Sequence, residues 1–447
     1  GMDEDYDDNG LPILVNIHGG AYQCGSGDAD LHGPEYLMYK GDMIVMSFNY
    51  RLAAIGFLSL GSDKIPGNNG LRDMHTFLNW VQRNGRSFGG NPKNITLIGQ
   101  SAGSCSVHLL TLSTATNELF QRVIMLSGSA IPYAYSASPV YAKYVADIFL
   151  EAAGITSTDP DAIHEQLIEM SLEDIMYANS VVQNLTGVIS FGPVVESDHA
   201  KFTKILDDEP ITLIGEGRGK DIPLILGFTN NEGATFARAL NNKNVVNRLR
   251  QNSQVILPLR LAFSLNTTDA TVAADKVVQR YFNESFSLDS IEKCFTDAYF
   301  AYPSFKMAQW RAAIGGAPAY LYEYGYESTF STVKRGLWLK YNGAGHIDDI
   351  PTIFRTNAFL GDKVSFPPTT TDDHMKDWMT SMVINFTKCD NPTCIDDASS
   401  PWPPVVHNQI LRQSIAEPKV YIFYFKTSSK YVPSPAISSV TNENAFF

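Results

Sequence analysis

The chain has 447 residues, 44% of them hydrophobic and 18% charged, which is typical of a globular protein and excludes collagen, coiled-coil and disordered chains. Acidic residues outnumber basic ones by 47 to 34, so the net charge is −13. Because this charge repels phosphate backbones, nucleic acid is not an expected partner.

Strand and helix patterns alternate along the first third of the chain. The strand patterns are short apolar runs with β-branched residues, as in strands buried on both faces, and the helix patterns have apolar residues at helical spacing. Strands are predicted at 11–17, 43–48, 95–98 and 122–126, and helices at 71–84, 104–112 and 139–153. The alternation predicts an α/β fold, with a mostly parallel central sheet and helices on both faces.

The patterns after residue 153 are less regular. Residues 159–180 are helical in pattern, 223–228 form another buried strand, and 234–313 are mixed. The last predicted elements are strands at 319–326 and 420–425, a helix at 377–388, and a mobile polar tail at 428–447. Since no repeat or linker-like segment interrupts the chain, residues 1–447 are expected to form a single domain.

Five cysteines are too few for a disulfide scaffold, and they match no zinc spacing. Cys389 and Cys394 enclose a short turn-like segment. The sequence is therefore compatible with a disulfide bond between them and, as the alternative, with two free thiols. Sequons for N-glycosylation occur at Asn94, Asn184, Asn266, Asn283 and Asn385. The sequons suit a secreted glycoprotein, although such short motifs also arise by chance.

The N-terminus is acidic and does not resemble a signal peptide. A Gly-Met start that leads directly into the first strand suggests that upstream sequence is missing. No segment approaches the roughly 18 consecutive apolar residues that would span a bilayer, so no transmembrane segment is expected. Secretion is the expectation for this protein, and a cytoplasmic location is the alternative.

Gly99-Gln100-Ser101-Ala102-Gly103 fits the G-x-S-x-G pattern and lies between a predicted strand and a predicted helix. A serine on this strained turn needs small neighbours, because side chains at both glycines would clash with the strand and the helix. The context predicts that Ser101 is a nucleophile. The alternative is a turn that is glycine-rich only for tight packing.

A neutral serine needs a base to accept its proton and a carboxylate to orient that base. His346 follows Gly343-Ala344-Gly345 in a flexible loop and is the leading candidate among nine histidines. Glu232 follows the predicted strand at 223–228, at the end where ligand-binding loops collect in α/β sheets. The order Ser101, Glu232, His346 is the order nucleophile, acid, base of α/β-hydrolases.

Acyl transfer also needs hydrogen-bond donors for the oxygen that becomes negative. His18-Gly19-Gly20-Ala21 directly follows the first strand, and its lack of large side chains lets backbone N–H groups approach a substrate closely. With the N–H of Ala102, these groups would form an oxyanion hole. A plain glycine turn is the alternative.

The chain resembles the type B carboxylesterase and cholinesterase family in a set of segments that extends from about residue 11 to residue 351. These segments are IHGGAYQCGSG, FNYRLAAIGFL, PGNNGLRD, WVQRNGRSFGGNPKNITLIGQSAG, LFQRVIMLSGSA, FGPVVE, GFTNNEGATF and GAGHIDDIP. The resemblance implies a triad of Ser101, Glu232 and His346, an oxyanion hole of Gly20, Ala21 and Ala102 supported by Gly19, and Ser127 near the acid. The details are closest to insect esterases, such as juvenile hormone esterase-like and odorant-degrading carboxylesterases.

The sequence also departs from the family in three ways. Cholinesterases carry an acidic residue before the nucleophile, and Gln100 lacks the charge that would help to hold a choline ester. Met74 follows Asp73 where many relatives have Gln, which weakens the assignment to the juvenile hormone subgroup. The family's usual N-terminal strands are missing from the chain, which would leave one edge of the sheet open.

The predicted function is hydrolysis of carboxylic esters through an acyl-enzyme on Ser101, without a metal or a cofactor. Uncharged lipophilic esters, whether xenobiotic, odorant or hormone, are the expected substrates, since 11% of the residues are aromatic and no fixed charge lies near the motifs. The alternative is a catalytically inactive adhesion or scaffolding protein of the same family. The sequence does not determine the oligomeric state.

Overall fold

The computed structural model describes the following ranges, which exclude residues 284 and 285 of the sequon at Asn283. They are residues 10–131, 138–187, 190–197, 201–236, 251–257, 265–283, 286–329, 331–336, 338–357, 369–394, 401–406, 409–417 and 419–426. The predicted tail at 428–447 lies outside the described residues.

The centre of the fold is an eight-stranded sheet in the order β2-β1-β3-β4-β5-β6-β7-β8. Its strands are β1 (Leu11–Ile17), β2 (Ile44–Ser47), β3 (Gly90–Gln100), β4 (Arg122–Leu126), β5 (Leu224–Thr229), β6 (Ala319–Tyr324), β7 (Gln409–Glu417) and β8 (Lys419–Lys426). Neighbouring strands pair in parallel except β8, which is antiparallel to β7. The predicted mostly parallel sheet is confirmed.

Helices connect the strands and cover the sheet. The described α-helices are α1 (Ala29–His32), α2 (Glu35–Gly41), α3 (Ala53–Phe57), α4 (Asn69–Asn84), α5 (Ala102–Leu112), α6 (Pro139–Ala152), α7 (Pro160–Glu169), α8 (Leu172–Thr186), α9 (Pro210–Gly215), α10 (Thr267–Tyr281), α11 (Leu288–Phe295), α12 (Tyr302–Ile314), α13 (Thr332–Gly336) and α14 (Thr371–Cys389). Short 3₁₀ turns occur at Gly85–Phe88, Glu232–Phe236, Ser253–Ile256 and Ile350–Thr352, and a π-helical turn at Thr296–Ala301 joins α11 to α12. Within the described ranges, no helix is long and apolar enough to cross a bilayer.

Alternate residues of β1 pack on opposite faces of the sheet, as the two-residue period of a strand requires. Ile13 and Val15 belong to the apolar core that contains the buried faces of α4 and α5. Leu14 belongs to a second core on the other face, with buried residues of α2 and α14. Each fully buried aliphatic side chain contributes roughly 2 kcal/mol to folding. Two apolar cores therefore hold the sheet from both faces, as the strand patterns predicted.

The helical pattern at 159–180 is two helices rather than one. The break comes at Met170 and Ser171, where the Ser171 hydroxyl accepts the backbone N–H of Asp174 and caps the start of α8. A capping serine competes with continuation of the previous helix. Strand β7 is a further difference, because it was not predicted.

A disulfide bond joins Cys389 to Cys394 at the end of α14, which decides between the two alternatives left open by the sequence. Cys24, Cys105 and Cys294 are free, and of these only Cys24 is exposed.

Because the strands of a parallel sheet point the same way, their carboxyl ends lie at one edge. His18 directly follows β1, Ser101 directly follows β3, Ser127 directly follows β4, and Glu232 lies three residues after β5. The fold therefore delivers four of the sequence motifs to a single edge of the sheet.

Candidate active site

Ser101 occupies a tight turn between β3 and α5. Its backbone has φ 58° and ψ −123°, a conformation that L-residues rarely adopt. A Cβ on Gly99 would lie 2.5 Å from the carbonyl carbon of Gly103, and a Cβ on Gly103 would collide with the Ile17 carbonyl oxygen at the end of β1. Both glycines are therefore needed for the turn to pack against the sheet. The Ser101 N–H donates to the Leu126 carbonyl at 2.8 Å, which fixes the turn to β4.

Glu232 is fully buried in the 3₁₀ turn that follows β5. Its Oε1 accepts the backbone N–H of Thr229 at 2.7 Å. Its Oε2 accepts the Nδ1–H of His346 at 2.6 Å. Two donors thus hold the carboxylate in one orientation, with one oxygen directed at the imidazole.

The loop that carries His346 is fastened to the loop that carries Glu232. Asn230 Oδ1 accepts the Ala344 N–H at 2.8 Å, and the Asn231 N–H donates to the Ala344 carbonyl at 2.9 Å. The Thr235 hydroxyl donates to the carbonyl of His346 itself at 2.8 Å. These bonds explain how residues more than a hundred positions apart keep the acid and the imidazole in contact.

The hydrogen bond to Glu232 determines the tautomer of His346. Since Nδ1 carries the proton, the neutral ring has its lone pair on Nε2, the atom from which a general base would act. Nε2 lies 3.1 Å from Nε2 of Gln100, the residue before Ser101. The rings of Phe236 and Phe300 flank the imidazole, with centroid distances of 5.6 and 4.9 Å. The base is thus next to the nucleophile turn and in apolar surroundings.

The glycine-rich loop after β1 lies against the nucleophile turn. A Cβ on Gly19 would lie 3.1 Å from the Ser101 Cβ, so the absence of a side chain permits this approach. Gly20 and Ala21 both have positive φ angles, 112° and 55°. Ala102 is the first residue of α5, where backbone N–H groups have no acceptor within the helix. The arrangement places backbone N–H groups where they could donate hydrogen bonds to an oxygen that becomes negative beside Ser101.

Ser127 directly follows β4 and has a positive φ of 52°. Its N–H donates to the Gly227 carbonyl of β5 at 2.8 Å. Its hydroxyl is buried and makes no hydrogen bond to the described part of the chain. Ser127 is therefore tied to the strand that leads to Glu232, and its hydroxyl does not bond the carboxylate directly.

Asp349 is a buried acid of this site that the sequence analysis did not single out. It lies three residues after His346, and its Oδ2 accepts the Tyr322 hydroxyl at 2.9 Å. Burial, together with the nearby Glu232 carboxylate, raises the pKa of Asp349 to about 7. Its position within GAGHIDDIP was the one available signal, but two adjacent aspartates gave no means of choosing between them.

A separate polar cavity of about 850 Å³ lies beside the acid loop and is lined by Asn231, Glu292, Lys334 and Tyr341 among others. Ser101 and His346 do not line it, so it is distinct from the nucleophile turn. Over the described residues, no three His, Cys, Asp or Glu side chains are grouped as metal ligands would be.

Known proteins resemble this chain over most of its length. The sequence model described as "Carboxylesterase family" matches residues 3–432. Juvenile hormone esterase of Heliothis virescens is 44% identical over 410 residues, which cover 92% of this chain and 72% of that protein. Esterase FE4 of Myzus persicae is 34% identical over 334 residues, which cover 72% of this chain and 57% of that protein.

Similarity extends to solved structures. The crystal structure of juvenile hormone esterase from Manduca sexta, with OTFP covalently attached, superposes with a TM-score of 0.88 at 44% identity. The match covers 94% of this chain and 78% of that chain.

Proposed function

Because the chain belongs to the carboxylesterase family and carboxylic ester hydrolysis is its activity, we propose that Ser101, Glu232 and His346 perform this reaction as a catalytic triad. The observation that carries the proposal is the 2.6 Å hydrogen bond from His346 Nδ1–H to a buried Glu232 Oε2, which leaves the Nε2 lone pair beside the nucleophile turn. The comparisons give no support to an inactive adhesion or scaffolding protein.

The proposed reaction has two halves. Ser101 Oγ attacks the carbonyl carbon of the ester while its proton passes to Nε2 of His346, and Glu232 stabilises the resulting imidazolium. The C–O bond to the alcohol then breaks, the alcohol leaves with that proton, and an acyl group remains on Ser101. Water repeats the sequence on the acyl-enzyme and releases the acid. Neither half requires a metal or a cofactor.

We propose that the N–H groups of Gly20, Ala21 and Ala102 form the oxyanion hole. Gly19 supports it, because any side chain there would press on Gln100 and Ser101. Loss of one such donor costs about 3 kcal/mol of transition-state stabilisation. Ser127 supports the acid through its backbone bond to β5.

The proposed substrates are uncharged lipophilic esters. Phe236 and Phe300 surround the imidazole with apolar surface, and Gln100 brings no charge to the site. The 44% identity to a juvenile hormone esterase makes a lipophilic hormone ester the first natural substrate to test.

Hydrolysis of a chromogenic short-chain ester tests the triad. Ser101→Ala should lower kcat/KM by at least about 10⁴-fold, and Glu232→Gln, which misorients the imidazole, by a similar factor. Ser304→Ala is the matched control, because Ser304 is a buried serine on α12 outside the site. A Ser101→Ala variant as active as wild type would contradict the proposal.

We also propose that the protein is secreted and glycosylated. Asn184 is exposed on α8, whereas Asn385 is half-buried on α14 and its Nδ2 donates to the Pro392 carbonyl at 3.3 Å. Glycopeptide mass spectrometry of protein directed through a eukaryotic secretory pathway should find glycan on Asn184 and none on Asn385. An unmodified Asn184 would contradict the glycoprotein assignment.

A further inference from the structure

The side chain of Gln100 is buried between the glycine-rich loop and the imidazole of the proposed base. Gln100 is 6% exposed. Its Nε2 lies 3.1 Å from His346 Nε2, and a Cβ on Gly19 would lie 2.8 Å from its Oε1. The two ends of the amide are thus confined by two different parts of the site.

The contact of His346 Nδ1 with Glu232 determines which residue is the donor in the hydrogen bond between Gln100 and His346. His346 Nδ1 donates to Glu232 at 2.6 Å, so Nε2 of the neutral ring has no proton. The amide NH₂ group has donors only, and it is the group that faces Nε2. With the amide reversed, Oε1 would face the same lone pair without a proton between them. Gln100 therefore donates a hydrogen bond to the lone pair of His346.

Ser101 must use the same lone pair to lose its proton. An imidazole nitrogen has one lone pair in the ring plane, so it cannot accept two strong hydrogen bonds together. Over the described residues, Nε2 of His346 bonds to Gln100 and not to Ser101. The two adjacent residues Gln100 and Ser101 are therefore competitors for one acceptor.

We propose that Gln100 is a positioning residue that occupies Nε2 of His346 in the resting enzyme and yields it to Ser101 when an ester binds. The proposal rests on the roles of Ser101 and His346 in the proposed function. A hydrogen bond between neutral groups contributes about 0.5–1.5 kcal/mol net, so the exchange of donors is readily reversible. Gln100 thereby sets the fraction of enzyme molecules in which Nε2 of His346 is free to accept the proton of Ser101.

The inference depends on the hydrogen-bond donor of the Gln100 amide. Side chains of similar size that cannot donate a hydrogen bond therefore test it. Methionine fills the same space with no donor. Leucine also has no hydrogen-bond donor. Both substitutions should release the lone pair of His346 to Ser101.

The test is the bimolecular rate at which an uncharged organophosphate inactivates the enzyme, because that rate reports activation of Ser101 without deacylation. Gln100→Met should react about 2- to 10-fold faster than wild type, the factor that corresponds to one lost hydrogen bond. Its KM for a neutral short-chain ester should stay within about two-fold. Gln82→Met is the matched control, since the Gln82 amide donates to the Pro92 and Leu119 carbonyls outside the site.

Gln100→Leu is the second variant and should also react faster than wild type; it supplies the test where Gln100→Met does not fold. Inactivation of a folded variant at the wild-type rate or more slowly overturns the proposal, because a merely structural role for Gln100 predicts no acceleration. The two proposals fail separately. An active Ser101→Ala overturns the triad, whereas an inactive Ser101→Ala with no acceleration in either Gln100 variant overturns only the role of Gln100.

Discussion

Ser101 is held in a conformation that costs free energy, and its neighbours supply the compensation. A non-glycine residue with φ 58° and ψ −123° is strained by about 1–3 kcal/mol. Close packing between Gly103 and β1 and the bond from the Ser101 N–H to Leu126 oppose that strain. The turn therefore depends on two glycines as much as on the serine.

Gly103→Ala tests this dependence. Its Cβ would collide with the Ile17 carbonyl and lie 2.7 Å from the His18 carbonyl, and backbone atoms cannot move aside as a flexible side chain can. We expect a loss of about 2 kcal/mol or more in the free energy of unfolding by urea, together with a loss of ester hydrolysis. Gly215→Ala is the control, because its Cβ would meet nothing within 4 Å, and it should be neutral or slightly stabilising. Equal stability of the two variants would contradict this account.

At the scale of single residues, the sequence identifies the candidates but not their contacts. The role of Ser101 was predictable because its signal is local. Two glycines at fixed positions around the serine, between a strand pattern and a helix pattern, indicate a strained turn. The bond between Gln100 and His346 joins residues 246 positions apart, and no local pattern encodes such a distance. The burial of Asp349 was unpredictable for the same reason.

At the scale of elements, a buried ion pair fastens α4 to the chain between α8 and α9. The Arg72 guanidinium bonds Glu196 Oε1, and the Glu196 side chain is fully buried. The other oxygen, Oε2, accepts the backbone N–H groups of Ile205 and Leu206 at 2.8 and 3.0 Å. Removal of the guanidinium would leave a buried carboxylate that is paired with no other cation of the described residues.

Arg72→Met should therefore be costly. Breaking a buried pair from one side costs about 3–5 kcal/mol. Glu196→Gln removes the charge but keeps an acceptor. The free energy of unfolding of the double variant should therefore be at least about 1 kcal/mol higher than the sum of the two single effects predicts. The exposed pair of Arg51 and Asp73 is the control, and Arg51→Met should cost about 1 kcal/mol or less. Additive effects in the urea-unfolding cycle of Arg72 and Glu196 would contradict the account.

Buried strands were the most predictable elements, because burial on both faces imposes a continuous apolar run. β1 and β4 have the predicted ends. β7 was missed because its sequence, QILRQSIAE, mixes polar and apolar residues, and its place depends on pairing with β6 and β8. The start of α8 had a local signal, Ser171 with an acidic residue three positions later, which a search for capping patterns would have found.

At the scale of the whole molecule, one sheet connects strands from both ends of the described chain. Hydrogen-bonded neighbours link β2, near the start, to β8, which ends at Lys426. The order of strands along the sheet was not predictable from local patterns, because pairing partners are distant in sequence. The strand-helix alternation fixed only that the sheet would be mostly parallel.

We propose that residues 1–447 form a single domain, since the two apolar cores of the sheet both contain residues from the first and the last parts of the described chain. Urea unfolding should then show one transition with the same midpoint by far-UV circular dichroism and by tryptophan fluorescence. The five tryptophans are spread from residue 80 to residue 402, so a separately unfolding part would alter the fluorescence. Two resolved transitions would contradict the single domain.

The central claim is that Ser101 is a nucleophile activated by the pair of His346 and Glu232. Its most direct test is mass spectrometry of peptides from enzyme treated with an uncharged organophosphate. The account predicts one adduct, on the peptide that contains Ser101, with no adduct in Ser101→Ala and much slower labelling in Glu232→Gln. An adduct on a different peptide, or labelling of Glu232→Gln at the wild-type rate, would contradict it.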